Sequence, residues 1–321
     1  MVGPVIDFHV HLPWYVRDPG RAAKLLLAEM SRARVDYALA IAIEVSVEIF
    51  RRHVTRESLL EALMESMPWL ISGVPGPLLS LLEDPESTIG EHERLIREHR
   101  RRNVDVVEAS RHSSGRILAV ASFNPDLDVE GNIEALKEIK DSIVGVKLYP
   151  TLHFTRPDSE PLRKLYGFLE DNGLILVVHT GCDPGLWELM SFCEYGRPGR
   201  ISRVAREFRD LPIVMAHLGG YSALSPGLYL SEALDVYVRY DNVYADTSAV
   251  DPSLVELFVA NASYDRVLFG SDYPYVIGLT MQKAIEYMKS SGLPDRILGA
   301  ILGGNAYRLL RSLGITLPIP A

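Results

Sequence analysis

Cysteine is nearly missing from this chain: its 321 residues include two, Cys182 and Cys193, too few for a disulfide framework. Glutamine is scarcer still, with Gln282 alone, and seven lysines stand against 26 arginines. A shortage of thermolabile amides hints at a hot-environment source. Positive charge does not dominate either. The net charge of -9 argues against nucleic acid or an anionic membrane as the main partner and favours a small-molecule substrate. Long apolar runs are absent, because Glu44, Pro68 and Pro75 break the candidates before the ~18 residues that a membrane span needs. No signal-peptide pattern precedes the first strand, whose apolar run Pro13 and Arg17 cut short, so a soluble cytoplasmic protein is expected. Low-complexity tracts are lacking as well; with 47% hydrophobic and 23% charged residues, the chain should be globular throughout.

What the chain does contain is alternation. Short β-branched runs at Val5 to Val10, Tyr37 to Val45, Ile117 to Phe123, Val144 to Leu148, Leu174 to Val178, Ile213 to Ala216, Val243 to Ala245 and Val267 to Phe269 read as strands. Amphipathic stretches separate them, among them Arg21 to Arg34, Asn132 to Lys140, Glu160 to Asn172, Ile201 to Arg209, Ser231 to Tyr240 and Ser253 to Ala262, and Met281 to Ser291 follows the last. Such βα repetition predicts an α/β fold, a (β/α)8 TIM barrel spanning residues 1–321 as one domain. An open doubly wound sheet would show a glycine-rich phosphate turn after its first strand, and no G-x-G-x-x-G stands there. One connection is too long for a minimal barrel. Residues 46–116, with Leu59 to Ile71, the passage Gly73 to Pro77 and a charged helix Ile89 to Asn103, read as a helical insertion, either a lid over the barrel mouth or an oligomer contact compatible with a homodimer. Its histidines, His53, His92, His99 and His112, read as solvated helix residues.

Chemistry gathers at the strand ends. In Asp7-Phe8-His9-Val10-His11 the two histidines of an extended run point the same way, about 7 Å apart, as metal ligands would. Lys147 lies near the end of the fourth strand, His179 ends the fifth, His217 ends the sixth and Asp272 follows the eighth. In a barrel these ends converge on one mouth. Taken singly, each is explained as a strand-end or loop residue; taken together they point to a metal site. Asp246, at the end of the seventh strand, could orient a ligand imidazole. Trp14, Tyr15, Tyr149 and Arg156 are candidate substrate contacts at the rim, and Asn305 reads as the N-cap of the last helix.

The motifs Asp-Phe-His-Val-His, Gly-Val-Lys-Leu-Tyr-Pro, His-Thr-Gly, His-Leu-Gly-Gly, Phe-Gly-Ser-Asp-Tyr-Pro and Gly-Gly-Asn-Ala-Tyr-Arg-Leu-Leu resemble the amidohydrolase superfamily. More narrowly they resemble its amidohydrolase-related branch, which includes the aminocarboxymuconate semialdehyde decarboxylase-like enzymes. The resemblance implies that His9, His11, His179 and Asp272 hold one divalent ion. Three imidazoles and a carboxylate suit Zn2+, and Mn2+, Fe2+ or Co2+ fit similar ligands. It also implies that His217 is an acid/base group activating a water, with Asp272 sharing in the proton transfer. Lys147 would meet a substrate carboxylate or, if carboxylated, bridge to a second metal; a third reading pairs its buried ammonium with Glu44. The expected function is a metal-dependent hydrolase acting on an amide, ester or lactone of a small carboxylated molecule. Nonoxidative decarboxylation of an unsaturated or aromatic acid at the same site, making the chain a lyase, is the first alternative, and a non-catalytic metal- or ligand-binding barrel the second.

Overall fold

The structure, a computed structural model, describes residues 3–55, 57, 85–125, 128–183, 188–222, 225–276 and 278–317. Eight strands, β1 (Ile6–Val10), β2 (Tyr37–Ile41), β3 (Ile117–Ser122), β4 (Gly145–Leu148), β5 (Ile175–Gly181), β6 (Ile213–Tyr221), β7 (Val243–Asp246) and β8 (Val267–Leu268), lie side by side in chain order. Each pairs parallel with the next. Burial on both faces explains why they read as apolar runs rather than alternating ones. Phe8 N–H donates to the Phe269 carbonyl at 2.7 Å and Asp272 N–H to the His9 carbonyl at 2.9 Å, which brings β8 back against β1. This is the expected (β/α)8 barrel.

Strand ends depart from expectation where the mouth is built. β5 and β6 run past Val178 and Ala216, because the Cys182 N–H still finds the Tyr221 carbonyl at 2.7 Å. β2 stops at Ile41, and Ile43 then pairs antiparallel with Arg101. Cys182 and Cys193 are disulfide-bonded, their Cα atoms 5.3 Å apart. The pair that is too few for a framework serves as one local clamp on the loop after β5.

The helices follow their capping chemistry. α1 (Pro19–Ala33) begins where Asp18 accepts from the Arg21 N–H, with proline in its first turn, and ends at Arg34 in the left-handed region. α2 (Val47–His53) and α3 (Pro85–His99) belong to the insertion; Leu59 to Ile71 and Gly73 to Pro77 lie outside the described residues. The helix expected over Ile89 to Asn103 breaks at Arg101, whose buried guanidinium donates to the carbonyls of Pro13 and Val16. The next helix, α4 (Asn103–Arg111), packs Val106, Val107 and Ala109 into the main core beside Leu26 and Ile117. It is thus the barrel's own helix between β2 and β3, so the insertion ends near Arg102 rather than Arg116. Phe50 of α2 and Ile96 of α3 make a separate apolar cluster with Val45, Val54 and Leu189 at the C-terminal end of the strands.

Around the rest of the barrel run α5 (Val129–Ile139), α6 (Arg163–Asp171), α7 (Ile201–Glu207), α8 (Leu230–Arg239), α9 (Pro252–Asn261), α10 (Met281–Lys289), α11 (Asp295–Gly299) and α12 (Asn305–Ser312). Asn305 is not the cap it was expected to be. It lies inside the first turn, and its amide donates to the carbonyls of Tyr264 and Val267, tying α12 to β8. Among the described residues no helix is long and apolar enough to cross a membrane.

Candidate metal centre

Strand register places the site. Lys147 pairs with Val177, Val177 with Val214 and Val214 with Tyr244, so Lys147, His179, Ala216 and Asp246 share one face by the two-residue period. His217 has the wrong parity and should point away. Instead its φ of 65°, followed by 52° at Leu218, turns the ring inward to 4.7 Å from the His179 ring and 5.0 Å from that of His9. Asp272 has a φ of 56°. A left-handed backbone costs a non-glycine residue ~1–2 kcal/mol, and such strain concentrates at functional sites. Gly270 permits the close approach of β8 to β1, since a Cβ there would lie 2.8 Å from that of His9.

Hydrogen-bond direction then assigns each neutral imidazole. His11 Nδ1 lies 2.9 Å from the Ile41 carbonyl, which only accepts, so Nδ1 carries the proton and Nε2 the lone pair. His9 Nδ1 faces the Asp246 carboxylate at 2.9 Å, which leaves its Nε2 bare as well. Both bare nitrogens face Asp272 Oδ1, at 3.3 Å from His11 and 3.6 Å from His9. His217 Nδ1 donates toward the Ser248 carbonyl at 3.0 Å, so its Nε2 accepts from His179 Nδ1 at 3.1 Å, and His179 Nε2 is bare in turn. That last atom is buried, with the Glu188 carboxylate 3.2 Å away but no aligned hydrogen bond among the described residues.

Two lone pairs, those of His9 and His11, meet the Asp272 carboxylate oxygen without a proton between them and suit a cation, and the donor set of imidazoles and carboxylate fits a divalent ion such as Zn2+. His9, His11 and Asp272 form one tight group, and His9, His217 and Asp246 another. His179 stands apart from both, against His217. The Asp246 carboxylate orients His9 and also receives the backbone N–H groups of His217 and Ser248.

Electrostatics follow burial. Desolvation, joined by Lys147, pushes His9 well below the ordinary histidine range, and desolvation with His179 and His9 does the same to His217. Burial would raise Asp272, but its contacts with His11 and His9 and the charge of Lys147 hold it below the usual carboxylate range. Asp7, buried beneath the site, is raised by desolvation to about 7. Burial lowers Lys147 to about 8.

Other expected residues fall into place or out of it. Lys147 is fully buried, its ammonium 5.3 Å from the Tyr149 ring centroid, with no hydrogen-bond partner among the described residues. It does not pair with Glu44, whose carboxylate is taken by Arg100 and by the Asn103 N–H. Tyr149 lines the cavity, its hydroxyl spent on the Ala42 carbonyl at 2.9 Å. Arg156 is drawn off to Asp158, and Trp14 is stacked on His99; neither lines the cavity. His92 and His99 were read as solvated and are buried: His92 stacks on Phe50, and His99, lowered to about 4 chiefly by burial, lines the cavity beside Tyr275.

Sequence reasoning missed Ser248 and Glu188. The Ser248 hydroxyl donates to Asp246 and sits 2.9 Å from His9 Nδ1 and 2.8 Å from His217 Nδ1, so one side chain braces both rings. Its signal was its place two residues beyond Asp246. Glu188 has no periodic position to betray it. His9, His11, His179, Glu188, His217 and Asp272 floor a cavity of about 1140 Å3 walled by Ile43, Leu152, Tyr221 and Tyr275.

The amidohydrolase family model matches residues 6–312. The chain belongs to the amidohydrolase family. Members of this family use a divalent metal. Among solved structures, this amidohydrolase is similar to an uncharacterized TIM-barrel protein from Bordetella bronchiseptica, at 19% identity and a TM-score of 0.67, over 97% of this chain and 99% of that one. It is also similar to 5-carboxyvanillate decarboxylase from Sphingomonas paucimobilis (15%, TM-score 0.59, 96% and 99%). A probable 2-pyrone-4,6-dicarboxylic acid hydrolase from Acinetobacter baumannii, solved with citric acid bound, matches at 13% and a TM-score of 0.59 over 96% and 100%. At these identities the likeness is one of fold. No curated protein matches the sequence.

Proposed function

We propose that the chain is a metal-dependent hydrolase cleaving an amide, ester or lactone bond in a small molecule, with His9, His11, His179 and Asp272 as metal-binding residues and His217 as general acid/base. The observation that carries this reading is the set of bare Nε2 atoms facing carboxylates beside an inward-turned, strained His217. A divalent ion bound by these residues supplies Lewis acidity and lowers the pKa of a water toward ~7.

The residues do the rest. His217 has its Nδ1 proton committed to Ser248, so Nε2, which accepts from His179 Nδ1 until it turns to substrate, is its one basic position, and the Asp246 carboxylate behind Ser248 stabilises the ring when it gains a proton. Asp272 stays ionised beside His11 and His9. Tyr149 and Leu152 present apolar surface that keeps bulk water from the substrate. In this reading Lys147 would meet a substrate carboxylate or, carboxylated, help hold a second ion, and its fully buried amine, lowered to about 8, also offsets the charge of Asp246 and Asp272.

A second reading, decarboxylation of an unsaturated or aromatic acid, uses the same residues and draws equal support from the relatives of known name. The two separate by product: acid released from lactones and esters, or CO2 released from carboxylic acids. For either, His11→Ala should empty the metal site, whereas His217→Asn should retain the ion and lose turnover by ~10²–10⁴. Loss of metal in both variants would reject the assigned roles. On location, the Cys182–Cys193 bond qualifies the cytoplasmic expectation, because disulfides persist inside cells chiefly in hyperthermophiles, the source to which the amide-poor composition also points.

A further inference from the structure

Glu188 lies in the loop after β5, closed at its two ends by the Cys182–Cys193 bond. Its side chain is buried, 2% exposed, at the wall of the cavity. The Thr151 hydroxyl donates to Oε1, and the Asp183 N–H donates to Oε2 at 2.6 Å. These donors aim the carboxylate at His179, whose Nε2 is 3.2 Å from Oε1. Among the described residues no lysine or arginine pairs with it. The hydrogen-bond chain from the Ser248 carbonyl through His217 to His179 leaves that Nε2 as a lone pair when the imidazoles are neutral. A lone pair and a carboxylate oxygen held this close inside a protein repel unless a cation lies between them, and burying a carboxylate without a countercharge is costly.

We propose that Glu188 is a metal-contacting carboxylate of this centre, holding a divalent cation together with His179. The inference rests on the metal reading above and extends it: the His179 side of the centre takes its second donor from the loop after β5, not from a barrel strand. Thr151, Asp183 and the disulfide then have a shared purpose, which is to fix one carboxylate in position before the ion arrives.

The test uses the full chain, stripped with chelator and reloaded with Zn2+ alone, in competition with a chromophoric chelator. Glu188→Gln should weaken Zn2+ binding at least about 10-fold, and Thr151→Val, which keeps the carboxylate but removes its brace, should weaken it less. Replacing zinc by Co2+ should give visible bands that move in Glu188→Gln. If that variant does not fold, as judged by far-UV circular dichroism, Glu188→Asp is read in its place, and its retracted carboxylate should weaken binding and move the same bands. Unchanged affinity and an unchanged cobalt spectrum in a folded variant would overturn the proposal and leave Glu188 as a partner of a protonated His179. A wild-type chain that holds no Zn2+ overturns the metal reading itself, a result distinct from equal binding by both proteins.

Discussion

At the scale of single residues, His217 shows how far local geometry departs from strand periodicity. Its position after Ala216 gives it outward parity, and the left-handed turn reverses this, so a residue readable as a strand-end histidine becomes a site residue through backbone strain. His153 is the instructive contrast. It was the one histidine outside the insertion that ends no strand, and the structure buries it, Nε2 against the Glu44 carbonyl at 3.1 Å and Nδ1 accepting from the Tyr149 N–H at 3.3 Å. Desolvation holds its pKa at about 3. A histidine lowered on folding binds fewer protons in the native than in the unfolded state between these values, so its share of stability is complete above ~6.5 and lost as pH falls toward 3. Denaturant melts between pH 7 and 3.5 should show an acid loss of up to about 4 kcal/mol from this group, absent in His153→Gln. An equal acid slope in both proteins would assign the loss elsewhere.

Elements set the reach of those residues. The βα units were readable because apolar runs and amphipathic stretches alternate, and because Asp18 and Pro19 announce α1 in plain capping chemistry. The break at Arg101 was not, since the guanidinium that interrupts the helix is paid for by carbonyls of Pro13 and Val16, far away in sequence. The loop after β5 was equally silent. Its disulfide closes a loop with a sequence separation of 11, for which chain-entropy arguments give ~3 kcal/mol. Cys182→Ser with Cys193→Ser should lower the melting free energy by about that amount and loosen Glu188; calorimetry of the double variant, with a zinc-affinity measurement alongside, checks both. No change in zinc affinity would show that Thr151 and Asp183 hold the carboxylate without the clamp.

For the whole molecule, the barrel's contribution is convergence. Imidazoles on β1 and β5 and the carboxylate after β8 are far apart in sequence and line one cavity because eight strands deliver their C-terminal ends to one rim. A metal there binds the native state and not the unfolded chain, so removing it should cost ~2.7 kcal/mol when the free ion stands at 100 times its dissociation constant. Thermal melts with and without chelator should differ accordingly, by ~4 °C for a chain of this length. An unchanged melting temperature would count against a resident ion.

The amino-acid order by itself determined the βα alternation, the placing of His9, His11, Lys147, His179, His217 and Asp272 at strand ends, and hence the fold and the candidate metal chemistry. It could do so because strand periodicity and barrel closure are rules of short range and of count. Only the tertiary structure decided that Ser248 braces two imidazoles, that Glu188 faces His179, that His99 lines the cavity and that Arg156 does not. Those contacts join loops to strands across long sequence separations, where neither period nor propensity constrains which side chains meet, and burial and hydrogen-bond partners settle the matter.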